Sequence, residues 1–170
     1  MRIREATAAD TDAIADLQAR SWRRTHAELL TEAEIDALVA GSVLPNLRWT
    51  IEHRPDYWRM WVADDDGAIV GFASTSPSTD TDVRTADRVG EITAIYADPD
   101  RVGEGIGSAL LAHAVADLAE RSARITLWVG EGNASARGFF EARGWTADGA
   151  TTVDLVGEVL VPVVRYRRAP

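Results

Sequence analysis

The stretch DPDRVGEGIGSALLAHAV, Asp98 to Val115, places glycines at Gly103, Gly105 and Gly107 and then turns at once into an apolar helical pattern. Before it lies GEITAIYAD, a run rich in β-branched and aromatic residues that predicts a strand. From Gly105 to Arg121 the residues Ile106, Leu110, Leu111, Ala114 and Leu118 recur at helical spacing and predict an inward face. RITLWVG follows as the next strand. A strand, a crossover helix and a strand in one sheet must run the same way, so a parallel pair is built into this segment. The bare backbone at the helix start sets a second constraint: something approaches it closely, or the glycines only make a tight turn.

Three anionic ligands exploit a glycine-rich helix start: a dinucleotide, a nucleoside triphosphate and coenzyme A. All eighteen basic residues are arginine. A Walker A loop needs a lysine on the terminal phosphates, and that reading closes. A dinucleotide fingerprint needs G-x-G-x-x-G and an acid about 20 residues on. Counted from Gly103 the third glycine position holds Ser108, and counted from Gly105 it holds Leu110; the distal position falls in ITLWV, which has no acid. The dinucleotide reading therefore fails twice.

Across 170 residues the pattern suits one domain, 1–170. RIRE near the start predicts a short strand, and Thr7 or Asp10 can cap a helix carrying Ile14, Leu17 and Trp22. LLTEAEIDALV predicts a second helix capped at Thr31. YWRMWVAD and AIVGFASTS read as strands joined across Asp66-Gly67, a hairpin signal. Ser76 to Asp87 is polar and reads as a surface loop, Ala134 to Arg143 as a short helix stopped by Gly144, and TTVDLVG with VLVPVVRYR as a closing hairpin. The expected order is strand, two helices, three strands, helix, strand, helix, two strands. It describes an α/β (α+β) fold with a mixed, mostly antiparallel sheet of about seven strands flanked by helices.

Other function classes recede on composition. A net charge of −9 disfavours a nucleic-acid surface. No long apolar run or leader marks a membrane protein, and no cysteine is present for disulfides or thiolate metal sites. His26, His53 and His113 show no metal spacing. The expectation is a cytoplasmic protein with no metal, no membrane and no nucleic-acid partner.

Together, EITAIYADPDRVGEGIGSALL and the later GNASARGFFEARGW resemble the GNAT superfamily of acyl-CoA-dependent N-acetyltransferases. The first block is similar to the family's pyrophosphate turn, Arg/Gln-x-x-Gly-x-Gly/Ala. The second is similar to its Asn-x-x-Ala-x-x-Phe-Tyr-Glu segment. The resemblance implies an N-acetyltransferase that passes the acetyl group of acetyl-CoA directly to a primary amine of a small molecule or protein, and it suggests a homodimer. A coenzyme A-binding sensor of the same fold is the alternative.

By that resemblance the cofactor lies on Arg101, Val102, Gly103, Gly105, Ile106, Gly107 and Ser108, whose backbone N–H groups at a helix N-terminus form an anion site. Its pantetheine arm pairs with Ile95, Tyr96 and Ala97 as an added strand, with a donor near Ile95 for the carbonyl oxygen. Val102 stands at the family's Arg/Gln position, and Glu104 where a basic residue is common, so cofactor binding is expected to be weaker but present. Glu91 matches the carboxylate that serves as base, and surface glutamate is the plainer reading. Asn133 bonds the pantetheine or caps the next helix, or does both. Phe140 replaces the tyrosine that protonates the departing thiolate; its ring is read as packing beside the arm. Trp22 and His26, one turn apart, line the acceptor pocket or, for Trp22, the core.

Overall fold

At Asp66 and Gly67 the chain reverses with positive φ at both residues, 53° and 91°. That is the geometry of a two-residue hairpin turn. It joins β2 (Arg59–Asp65) to β3 (Ala68–Pro77). The computed structural model describes residues 1–82 and 88–169. The loop read over Ser76 to Asp87 therefore lies partly outside the described residues, at 83–87.

The remaining elements are β1 (Arg2–Glu5), α1 (Thr11–Thr25), α2 (Glu32–Leu38), α3 (Leu44–His53), β4 (Val89–Ala97), α4 (Ile106–Ala119), β5 (Arg124–Gly130), α5 (Ala134–Glu141), β6 (Thr146–Val156) and β7 (Val159–Arg168). The seven strands form one sheet in the order β1-β2-β3-β4-β5-β7-β6. β1 and β2 pair antiparallel, as do β5 with β7 and β6 with β7. The glycine-flanked crossover makes β4 and β5 parallel, in register from Val89↔Arg124 to Ile92↔Leu127.

Two helices were expected before β2, and three are present. The third, LPNLRWTIEH, follows α2 through a π-helical turn at Val39–Val43 and carries proline in its first turn, where the missing N–H costs nothing. Leu47 and Ile51 lie one helical turn apart and pack on a buried cluster of Ala6, Ile14, Leu17, Met60, Val62 and Phe72. The expected cap at Thr31 is present: its hydroxyl accepts from the Glu34 N–H, and the Glu34 carboxylate accepts from the Thr31 N–H at 2.7 Å.

The chain divides into two compact units, Met1–Ser74 with Ala94–Ala114, and Thr75–Thr93 with Val115–Pro170. In the first, Gly71 permits close packing: a Cβ there would meet Leu110 Cδ1 at 2.7 Å, Ile106 Cγ2 at 2.9 Å and the Tyr96 carbonyl at 2.9 Å. At the start of α1, Arg4 donates to both Asp10 oxygens at 2.8 and 2.7 Å. This guanidinium holds the Asp10 carboxyl down at about 2. In the second unit, Ile125, Leu127, Leu118, Trp145 and Tyr166 are all buried.

Candidate active site

The glycine turn in the first unit is built from its flanks inward. Arg20 of α1 donates to Asp98 at 2.7 and 3.3 Å, and Arg24 donates to the Pro99 carbonyl. Asp98 in turn accepts from the Asp100 N–H at 3.0 Å, closing a turn at the end of β4. Neither arginine was singled out in the sequence, because 78 residues separate Arg20 from Asp98.

Beyond this anchor the backbone takes positive φ at Gly103 (91°) and Gly105 (82°). A Cβ at either residue would meet nothing within 4 Å, so the bare surface faces open space and is not needed for internal packing. α4 closes its first hydrogen bond from Ala109 N–H to the Gly105 carbonyl at 3.0 Å. The N–H groups of Ile106 and Gly107 precede that bond and have no intrahelical acceptor. Ile106 is buried at 2% exposure, so its side chain packs inward and anchors the start of α4. An open, left-handed turn feeding a helix N-terminus fits a pyrophosphate.

Arg101 donates to Glu104 at 2.9 and 2.6 Å and to Asp65 at 2.9 Å. Glu104 therefore carries its negative charge toward a guanidinium, which relieves the repulsion expected from a carboxylate near phosphates. The same pairing occupies Arg101. Val102 is 80% exposed.

Ile95, Tyr96 and Ala97 form the end of β4, beyond its last register pair with β5. Trp22 is half-buried, and its indole N–H donates to the Tyr96 hydroxyl at 3.2 Å. His26 caps the C-terminus of α1, with its ring 6.5 Å from that of Trp22. Trp22, His26 and Tyr96 are thus brought together within one unit.

The second unit holds Glu91, Asn133 and Phe140. Glu91 is half-buried on β4, opposite Thr126 of β5. Burial pushes its carboxyl up to about 7, and the Asp80 charge adds to the rise. A hydrogen bond from Ser78 and the Arg165 guanidinium act the other way. Such a carboxyl is neutral in part at physiological pH and exchanges protons there readily. Ser78, Asp80 and Arg165 were not foreseen; no local motif marks residues brought together from a loop and a distant strand.

Asn133 caps α5: its side-chain oxygen accepts from the Ala136 N–H at 3.0 Å. Phe140 is 4% exposed, with ring centroids 5.2 Å from Phe139, 6.0 Å from Trp145 and 6.4 Å from Tyr166. The Tyr166 hydroxyl donates to Glu141 at 2.5 Å and accepts from Arg137 at 3.1 Å.

Comparison with known proteins identifies the family and the fold. The sequence pattern of the acetyltransferase (GNAT) family matches residues 11–145. A probable N-acetyltransferase of Mycobacterium tuberculosis is 33% identical over 173 residues, covering 98% of this chain and 92% of that protein. The fold is shared with the PaiA N-acetyltransferase of Thermoplasma acidophilum, solved with coenzyme A, at a TM-score of 0.77 and 17% identity, over 99% of this chain and 98% of that one. It is shared too with a ribosomal-protein-alanine N-acetyltransferase of Brucella melitensis, at a TM-score of 0.74 and 22% identity over the whole of both chains. This chain belongs to the acetyltransferase (GNAT) family.

Proposed function

We propose that the protein is an acetyl-CoA-dependent N-acetyltransferase of the cytoplasm that transfers acetyl directly to a primary amine, with Glu91 as the base. The observation that carries this reading is the half-buried Glu91 carboxyl, raised to about 7 on β4. An acceptor amine is protonated at neutral pH and must lose a proton before it attacks. A carboxylate that titrates near 7 takes such a proton far better than one titrating near 4, directly or through one water.

Acetyl-CoA supplies the acetyl group as a thioester, so a C–N bond forms and the C–S bond breaks. The turn from Val102 to Ser108 binds the pyrophosphate through backbone N–H groups, and Arg101, engaged with Asp65 and Glu104, holds the turn in shape. The backbone of Ile95 to Ala97 pairs with the pantetheine amides, and the N–H near Ile95 faces the carbonyl oxygen that gains charge. Asn133 orders the start of α5 through its cap on the Ala136 N–H, while Phe140 serves the packing of α5. Trp22 and His26 contribute to the acceptor side. The coenzyme A complex of the Thermoplasma protein supports the cofactor, since that protein shares the fold.

The test is release of free thiol from acetyl-CoA across a panel of polyamines, amino acids, aminoglycosides and peptide amines. Turnover with one or more amines is expected, and Glu91→Gln should lower it about 10² to 10⁴-fold at pH 7. Bound acetyl-CoA with no thiol release over the whole panel would replace this reading with a coenzyme A sensor.

A further inference from the structure

Arg165, in the middle of β7, is 7% exposed and meets three carboxylates. Its Nε donates to Asp148 of β6 at 2.9 Å. One terminal nitrogen donates to Asp80 at 2.9 Å and Asp82 at 2.7 Å, and the other donates to Asp82 at 2.6 Å. Asp80 and Asp82 belong to the segment that follows β3. The Trp128 indole N–H on β5 donates to the second Asp80 oxygen at 3.1 Å, and the Arg165 guanidinium lies 5.5 Å from the Trp128 ring.

Strand register shows where this clamp sits. Glu91 is opposite Thr126, Thr126 is opposite Arg167, and Trp128 is opposite Arg165. Side chains two apart on a strand share a face, so Glu91, Thr126, Arg167, Trp128 and Arg165 all stand on one side of the sheet. The 78–82 segment reaches the same side, since Ser78 bonds Glu91 and Asp80 bonds both Trp128 and Arg165.

We propose that Arg165 is a positioning residue for Glu91: by holding Asp80 and Asp82 to β7, it fixes the 78–82 segment over the sheet face that carries the Glu91 carboxyl. This inference rests on Glu91 as the base. A buried guanidinium among three carboxylates is a poor stabiliser compared with apolar packing, because desolvation offsets most of the attraction. It is a good way to hold a polar segment in one place, since the planar fork permits few arrangements. On the Glu91 face stand Ser78 and Asp80 from the segment, Arg124 and Thr126 from β5, and Arg165 and Arg167 from β7; of these Asp80, Ser78 and Arg165 act on its carboxyl. Asp82 and Asp148 sit one bond further away, on Arg165. One guanidinium against three carboxylates leaves excess negative charge near Glu91. Burial of Glu91 acts in the same direction, and both effects favour its protonated form.

The experiment is a carbon-13 titration of glutamate side-chain carboxyls in the full chain, with the Glu91 signal assigned by its loss in Glu91→Gln. Wild type should titrate near 7. Arg165→Lys keeps the charge but loses the fork, so the segment loosens and the Glu91 midpoint falls by about 1 pH unit. Asp80→Asn removes a like charge, and the midpoint falls by about 0.5 to 1 pH unit. Asp82→Asn, at a side chain 59% exposed, gives a milder variant that tests the same anchor if Arg165→Lys does not fold. The acid limb of the acetyl-transfer pH profile should move with the titration. Midpoints within about 0.2 pH unit of wild type in the folded variants would overturn the positioning role. Wild-type turnover in Glu91→Gln would instead remove the base assignment, and the titration would still report where the segment sits.

Discussion

The indole N–H of Trp22 donates to the hydroxyl of Tyr96 at 3.2 Å, tying α1 to the end of β4. An indole nitrogen can only donate, so the Tyr96 oxygen accepts here and its own proton is directed elsewhere. Of the two roles read for Trp22, wall of a pocket or core residue, this bond adds a third: it orients a tyrosine. Trp22→Phe and Tyr96→Phe should therefore couple. A double-mutant cycle by urea unfolding should give a coupling energy of about 0.5 to 1.5 kcal/mol. Strict additivity of the two changes would show that the bond contributes nothing to the fold.

The glycine turn yields a prediction about which groups carry cofactor affinity. Gly107→Asp places a side chain and a negative charge at the helix N-terminus, where an anionic ligand would sit. Arg101→Ala removes a guanidinium already paired with Asp65 and Glu104. Calorimetric titration with acetyl-CoA should show a loss of at least about tenfold for Gly107→Asp, equivalent to about 1.4 kcal/mol. For Arg101→Ala the loss should stay below about fivefold. The reverse ranking in folded proteins would move the pyrophosphate away from this backbone.

How far the fold was legible depended on whether the signal was local. β5 begins and ends where RITLWVG does, because the run is a pure strand pattern bounded by Ser-Ala before it and Glu-Gly-Asn after it. The parallel β4–β5 pair followed from the chirality of a crossover. α3 is absent from the expected order although Leu47 and Ile51 carry the helical spacing; Gly41 and Pro45 are residue types that weaken a helical pattern. In the structure the glycine sits within a π turn and the proline in the first turn of α3. At the candidate site, the glycine turn is a local sequence pattern, and Glu91 is read from its place in the strand before that turn. Arg20 on Asp98 and Arg165 on Asp80 are pairings between distant segments, and no periodicity or spacing encodes them.

Phe140 stands where a tyrosine would be expected, and its surroundings set what a tyrosine there can do. The ring is 4% exposed and packed on Trp145 and Tyr166. A hydroxyl added to it enters an apolar cluster, and an unsatisfied buried hydroxyl costs about 1 to 3 kcal/mol. Phe140→Tyr should lower the melting temperature, leave acetyl-CoA affinity within about threefold and leave turnover within about threefold. A thiol of pKa about 8.5 leaves well enough as an anion for this to hold. A tenfold or greater rise in turnover would instead show that the missing acid limits the wild-type rate.

Glu91 links function to stability with opposite signs. Burial and the Asp80 charge raise its carboxyl from 4.5 to about 7 in the folded chain. Between those values the folded state binds more protons than the unfolded one, so stability falls as pH rises from 4.5 to 7 and levels off above. At pH 8 the wild type thus carries the cost of an ionised, half-buried carboxylate, which Glu91→Gln does not. Urea unfolding should show the variant more stable than wild type by about 1 to 3 kcal/mol at pH 8, with the difference nearly gone at pH 4.5. Acetyl transfer should move the other way. Wild-type turnover should rise through an acid limb centred near 7, where the carboxylate forms, and that limb should be absent from the slow variant. A variant of equal stability to wild type at both pH values, with the acid limb retained, would show that Glu91 is neither desolvated nor the group that takes the proton.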